Sequence, residues 1–479
     1  MNAPIALAFV PAAPALAALL IAVHVVRSAA GAARLVTGAI ALALVAAAVA
    51  AGADPLGGIV AVAVAVIALI VAGYAARSLD GSSIPEVRFF GLIAAATAGA
   101  LTVAIASDLR LLALAWIATG LATSALLGIA ATPAARRVAR RHLALERIGD
   151  LAWVVILVVA WQRYGTFDLV AIGAAATVAP SLLLALALVV AGAIRSALVP
   201  LHDWLPNSME APTPVSAFMH AGLVNGAGVL LAKTAFIIVA APFALGLAAL
   251  LGGITAVVGA MVALVRPEVK RRLGWSTVAQ MGFMVLQCGC GAFAAAVVHL
   301  IAHGGYKSAA FLGVGGTITA HAPVNARIER RTRLDPIVHA IAGIAPPTIG
   351  VLLAWALLSG RIVTLPAAGM TLAFAWATAV TAARGAAERA TDTRMRIIVG
   401  AGIAFAVVGY LAIVIALDSW LGASLPHLTF APAAFAATAC ALIAGTIAGL
   451  GLGLGRANGD ALYAVALTEG RGTRAVPIA

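Results

Sequence analysis

The sequence predicts an all-α polytopic membrane protein, and three observations carry that reading. Hydrophobic residues make up 63% of the 479 and charged residues only 10%, against roughly a quarter charged in soluble domains. Apolar runs of about eighteen or more residues recur from end to end, each long enough to cross a hydrocarbon core about 30 Å thick as a helix. The formal charge of +13 sits in short connections between those runs rather than on one folded face, which fits membrane topology and not nucleic-acid binding. A soluble enzyme is excluded.

In chain order, spans are expected near 4–26, 35–53, 56–74, 89–107, 111–131, 148–164, 181–201, 215–238, 243–265, 273–292, 293–318, 336–358, 362–383, 397–417 and 432–455, about 14 to 15 helices in all. Met1 runs into the first without a basic flank or a cleavage site, so it reads as a helix and not a leader. The stretch 167–180 is apolar but too short to cross, and reads as interfacial or re-entrant. With that choice, 24 of the 30 Lys and Arg fall on one set of connections and 3 (Arg110, Arg163 and Arg361) on the other, the remaining three lying inside spans. The N-terminus is therefore expected outside and the C-terminus in the cytoplasm, in the cell inner membrane. No appended soluble domain is expected. The basic runs 136–141, 266–272 and 327–333 read as topology determinants, with partner docking as the alternative. Abundant Ala, Gly and Ser suit close helix packing, and glycines such as those of 313–316 and 449–455 read as packing surface.

Ionisable groups in mid-span are costly unless paired or hydrated, so they are the candidate functional residues. His299, His303 and Lys307 are four apart in one span, stacking on one helix face at about 6 Å per step. Histidine titrates near neutral pH and a desolvated lysine can lose its proton, so this row can line a proton path. The alternative is a set of helix–helix hydrogen bonds. Arg195 precedes a proline-rich stretch with Pro200, Pro206, Pro212 and Pro214, which predicts a broken helix beside a polar cavity. His220 begins the next span and is placed to face that cavity, or to bond a backbone carbonyl. Asp203 and Glu210 are candidates to pair with Arg195 or to cap the broken helix. Lys233 reads as snorkelling outward, and Gln280 and Pro346-Pro347 hint at a second cavity and break. Cys288, Cys290 and Cys440 lie in apolar segments and form no metal or disulfide pattern. No catalytic group, metal site or cofactor is expected in this chain.

The run Pro200-Leu201-His202-Asp203-Trp204-Leu205-Pro206-Asn207-Ser208-Met209-Glu210-Ala211-Pro212-Thr213-Pro214, continuing to His220-Ala221, closely resembles the signature of antiporter-like subunits of respiratory complex I and multisubunit cation/proton antiporters. Val269-Lys270-Arg271-Arg272-Leu273-Gly274-Trp275 and His299-Leu300-Ile301-Ala302-His303-Gly304-Gly305-Tyr306-Lys307 agree with it. The resemblance covers about 90–360. It implies two inverted five-helix repeats with broken helices, at 89–238 and 243–383, flanked by further helices at 1–88 and 384–479. It also implies a Lys, Glu and His chain carrying protons along the membrane midplane.

The departures are specific. The family glutamate of the fifth span falls on Ile117, the first broken-helix lysine on Arg195, and the stretch after Pro346-Pro347, through Ala354, lacks the second lysine. Every acidic residue is expected in a loop or near a span end, so the Lys–Glu pair is expected to be missing. Together with His220-Ala221-Gly222-Leu223-Val224-Asn225-Gly226 and a short C-terminus, this resembles the membrane subunit of two-component inorganic-carbon transporters of the DabB type. That resemblance implies a large soluble zinc-containing, carbonic-anhydrase-like partner on the cytoplasmic face, with ion flow, of protons by expectation, energising CO2 or bicarbonate uptake. The alternatives are a proton-pumping subunit of NADH:quinone oxidoreductase, a subunit of a sodium/proton antiporter, or a scaffold that has lost conduction.

Overall fold

The helices begin where the sequence supplies caps and end where glycine, proline or a polar loop interrupts the apolar run. The computed structural model describes residues 3–266, 268–319, 336–362, 368–390 and 392–426. Helix α1 is Ala3–Ala22, α2 Ala29–Ala50 and α3 Pro55–Ser78. Ser28 and Asp54 accept the amides of Gly31 and Gly57 at their starts, satisfying donors that a helix cannot pair internally. Next come α4 (Glu86–Ile105), α5 (Leu109–Leu127), α6 (Pro133–Tyr164), the short α7 (Leu169–Val178) and α8 (Leu182–Arg195). Asp108 caps α5 and bonds Arg110, whose guanidinium holds its carboxyl below the usual carboxylate range. Asp168 caps α7 and Ser181 caps α8.

After α8 the chain turns through Ala197 at φ 52° and a cis Val199-Pro200 peptide into a 3-10 turn, Pro206–Glu210. Then follow α9 (Thr213–Ala221), a 3-10 turn at Leu223–Asn225, α10 (Gly226–Lys233) and α11 (Ala235–Val239). The predicted span 215–238 is thus interrupted at Gly222 and again at Thr234. The remaining helices are α12 (Pro242–Val265), α13 (Val269–Gly289), α14 (Phe293–Thr319), α15 (Pro336–Ile362), α16 (Ala368–Arg389) and α17 (Thr393–Leu421). Among the described residues there is no β-strand, and eight helices, counting Thr213–Lys233 as one, are long and apolar enough to cross a membrane. This is a multi-pass membrane protein.

Neighbours in sequence pack as neighbours in space: α1 to α4 form one layer, α4 leads through α5 and α6 to α8, and α15, α16 and α17 form another group. The tightest pair is α12 and α13. Gly252, Gly259, Gly282 and Gly289 there have no room for a Cβ, because each faces the backbone of the opposing helix. Gly313, by contrast, faces open space.

Several expectations need correction. Helix α6 is 32 residues long, about 48 Å, so the basic run 136–141 is helical. Pro133 at its first turn, behind Thr132 as N-cap, explains the early start. Helix α15 runs through Pro346 and Pro347 unbroken. Two prolines remove only the amides that would serve two carbonyls, and the helix carries on in both directions. The predicted span 432–455, Cys440 and the basic run 327–333 lie outside the described residues. Cys288 and Cys290 are buried.

Candidate functional site

Two clusters of buried ionisable side chains lie between the broken segment and its neighbours. The first is built on Arg195, at the C-terminal end of α8 and only 5% exposed. Its Nε donates to both oxygens of Glu146 at 3.0 and 3.1 Å, and its Nη2 to Glu146 Oε2 at 2.7 Å and to the Trp116 carbonyl at 2.8 Å. The guanidinium lies over the Trp116 ring, 4.3 Å from its centroid. One turn before Glu146 on α6, His142 bonds Ser124 through Nδ1 at 2.7 Å and meets the Trp204 ring edge-on. The two helices fit this closely because α5 carries Gly120 opposite Glu146, where a Cβ would clash with Oε2.

Glu146, expected at the edge of the span 148–164, instead lies buried in the middle of α6 and pairs with Arg195. The fifth helix carries Ile117 where the resemblance implies a glutamate, and Glu146 of the next helix is the carboxylate that reaches Arg195. The signal was available: Ala135, His142, Glu146, Gly149, Ala152, Trp153, Ile156 and Ala160 form the buried face of α6 at helical spacing. Glu146 was hidden by reading the basic stretch around it as a loop. Asp203 pairs instead with Arg141 at 2.8 Å, and Glu210 is exposed. A small cavity beside Arg195 is lined by Trp116, Thr119, Gly222, Leu223 and apolar side chains of α3 and α4, so its wall is mostly apolar.

The breaks themselves are stitched together. Ser196 donates to the Val224 carbonyl and accepts the Ala227 amide, while the Val199 amide bonds Thr255 Oγ1 at 3.0 Å. Backbone groups freed by the interrupted helices are thereby satisfied inside protein, as hydrocarbon demands. Pro200, Pro206, Pro212 and Pro214 shape this segment, and Trp204 is buried within it. Lys233 does not snorkel away. Its Nζ bonds the Ala104 carbonyl at 2.7 Å, serving an orphan acceptor at the end of α4.

The second cluster runs along α14. His299 and His303 have ring centroids 6.0 Å apart. Lys307, 1% exposed, donates to the Leu273 carbonyl at 2.9 Å and to Ser276 Oγ at 2.6 Å, both on α13. His220 reaches this row from α9: it stacks on Phe311 of α14, bonds Ser208 Oγ at 3.1 Å, and lies close enough to His303 and Lys307 for their charges to act on one another. It therefore faces α14, not the Arg195 cavity. Both ring nitrogens of His303, Nε2 of His299 and Nδ1 of His220 have no hydrogen-bond partner among the described residues. In protein interiors, buried polar atoms without a protein partner are typically served by water. Gln280 is exposed. Among the described residues no group of three or more His, Cys, Asp or Glu could hold a metal ion.

Comparison with known proteins places the chain in a family. The family model described as NADH:quinone oxidoreductase/Mrp antiporter, TM, matches residues 106–362, more than half of the chain, and the chain belongs to that family. A probable inorganic carbon transporter subunit, DabB1 of Halothiobacillus neapolitanus, is 41% identical over 277 residues, covering 55% of this chain and 49% of that protein. The NADH-ubiquinone oxidoreductase chain 5 of Metridium senile is 30% identical over 273 residues, covering 56% and 45%. The chain thus spans about half the length of the curated relatives it matches. The structure of the Mrp complex from Dietzia sp. shares the fold, with a TM-score of 0.65 at 24% identity over 98% of this chain and 59% of that one. By name, these relatives are subunits of larger assemblies.

Proposed function

We propose that this chain is the proton-conducting membrane subunit of an energy-coupled inorganic-carbon transporter, handling CO2 or bicarbonate with a large soluble zinc-containing, carbonic-anhydrase-like partner on its cytoplasmic face. The observation that carries the reading is the row Lys307, His303, His299 with His220, whose unpaired ring nitrogens lie on one buried line. A neutral imidazole accepts a proton on one nitrogen and releases the other to the next water, so successive rings and waters can pass protons without carrying any side chain across. The choice of inorganic carbon is supported by the similarity to DabB1.

In this reading, hydration chemistry belongs to the partner, and this chain contributes no catalytic group, metal or cofactor. Arg195 acts as a fixed charge, because a guanidinium does not give up its proton in any ordinary setting. Chain orientation follows the Lys and Arg asymmetry, with the N-terminus outside and the C-terminus in the cytoplasm of an inner membrane.

Affinity purification of the chain from its native membrane, followed by mass spectrometry, tests the assignment. A single large soluble zinc protein in stoichiometric amount, and labelled bicarbonate uptake that a protonophore abolishes, are the expected results. Redox subunits or further antiporter subunits in its place would move the assignment to NADH:quinone oxidoreductase or to a sodium/proton antiporter. Chain 5 similarity favours that second reading, and the replacement of a titratable lysine by Arg195 counts against it.

A further inference from the structure

The row on α14 points somewhere. Helix α14 starts at Phe293, just after the tight turn at Gly291, and the distance from Lys307 back to Ala295 is about 18 Å at 1.5 Å per residue. His303 and His299 are the two intermediate steps. By the Lys and Arg asymmetry, the α13–α14 turn lies on the side away from the basic connections, here termed the outer side. The row therefore ascends from mid-depth toward the outer surface, and the question is what receives a proton beyond His299.

Three observations meet there. Gln287, on α13 and fully buried, lies within hydrogen-bonding reach of the Tyr410 hydroxyl of α17, and neither its amide nitrogen nor its amide oxygen meets a well-aligned partner among the described residues. Phe283, one turn before Gln287 on α13, packs against both His299 and Phe374 of α16, so Gln287 stands immediately outward of His299. Outward again is a cleft of about 10 Å³, close to the least that holds one water molecule. Its walls are Ala295, Thr371, Val414, Asp418 and Leu425. Asp418 is the ionisable group in that wall, and Tyr410, Val414 and Asp418 recur every fourth residue along α17, on one face.

We infer that Asp418 is the outer terminus of the proton row, exchanging protons with His299 through water held by the Gln287 amide. The step is a proton transfer alone: the imidazolium of His299 gives its proton to water, the carboxylate of Asp418 takes one up, and the resulting carboxylic acid releases it to outer solvent. Gln287 acts as a positioning residue, since an amide orients water without titrating. The inference rests on the conduction reading above.

The complete purified complex, reconstituted in liposomes with an entrapped pH dye, tests it. Four variants are compared with the parent protein: Asp418→Asn, Asp418→Glu, Gln287→Leu and His303→Gln. Asp418→Asn is expected to slow proton flux on the order of tenfold, as loss of a relay group should, while Asp418→Glu retains most of it and Gln287→Leu falls between. In intact cells, an Asp418→Cys variant should react with a membrane-impermeant maleimide added outside. Parent-like flux in Asp418→Asn alongside lost flux in His303→Gln would overturn the Asp418 assignment while leaving the conduction reading intact. Parent-like flux in His303→Gln would instead sink the conduction reading itself. Labelling only from the cytoplasmic side of opened membranes would also overturn the assignment.

Discussion

The Arg195–Glu146 pair and the histidines of the Lys307 row both lie inside the bundle, yet their hydrogen-bond accounts differ. At Arg195, both carboxylate oxygens of Glu146 and the guanidinium Nε and Nη2 are engaged, with Trp116 closing one face. Along α14, nitrogen after nitrogen has no partner among the described residues. Fully satisfied charge in a low-dielectric site is rigid, because any displacement breaks several strong bonds at once. Partly satisfied groups are completed by water, and water can move. The same bundle thus holds one charge pair locked by several strong bonds and one row whose ring nitrogens have no protein partner among the described residues.

That contrast can be broken most sharply at Glu146. Glu146→Ala leaves a buried guanidinium without its counter-charge and should cost about 3–5 kcal/mol, read as a large fall in thermal stability of the detergent-solubilised protein. A loss below about 1 kcal/mol would mean the pair is solvated and the contrast false. Gly226→Ala probes the same site by volume. Its Cβ would lie 2.6 Å from Arg195 Cγ and 3.2 Å from Trp116, so a loss of about 1–3 kcal/mol is expected.

His303→Gln sharpens the other side of the comparison. Glutamine keeps a hydrogen-bonding side chain but cannot take up a proton near neutral pH, so stability should change by less than about 1 kcal/mol while ion-coupled uptake is lost. Retained uptake would leave the row a structural seal. The smallest effect is expected at the half-exposed pair Arg141 and Asp203: Asp203→Ala should cost well under about 1 kcal/mol, and less at high salt.

Hydropathy and charge asymmetry made the helices legible, because length and apolarity are properties of contiguous sequence. The row on α14 was legible for a similar reason, as three ionisable groups at one helical spacing. Glu146 was not, since it sits among arginines and its burial depends on where α6 begins. Arg195 stood out as a charge beside the helix break, but its partner lies 49 residues away in sequence, and no local spacing encodes that pairing. The interruption at Gly222 left a trace in Gly222, Asn225 and Gly226, which are helix punctuators. Pro346 and Pro347 gave the converse error: strong punctuation in a helix that continues.

The glycine-lined contact between α12 and α13 has a mechanical consequence. With backbone against backbone at four levels, neither helix can slide or rotate past the other without collision, so the pair behaves as a stator. Leu273 and Ser276, which hold the Lys307 ammonium, are mounted on that stator. Any displacement of the ammonium must then be made by the lysine's own four-carbon arm or by α14, measured against a mount that does not yield.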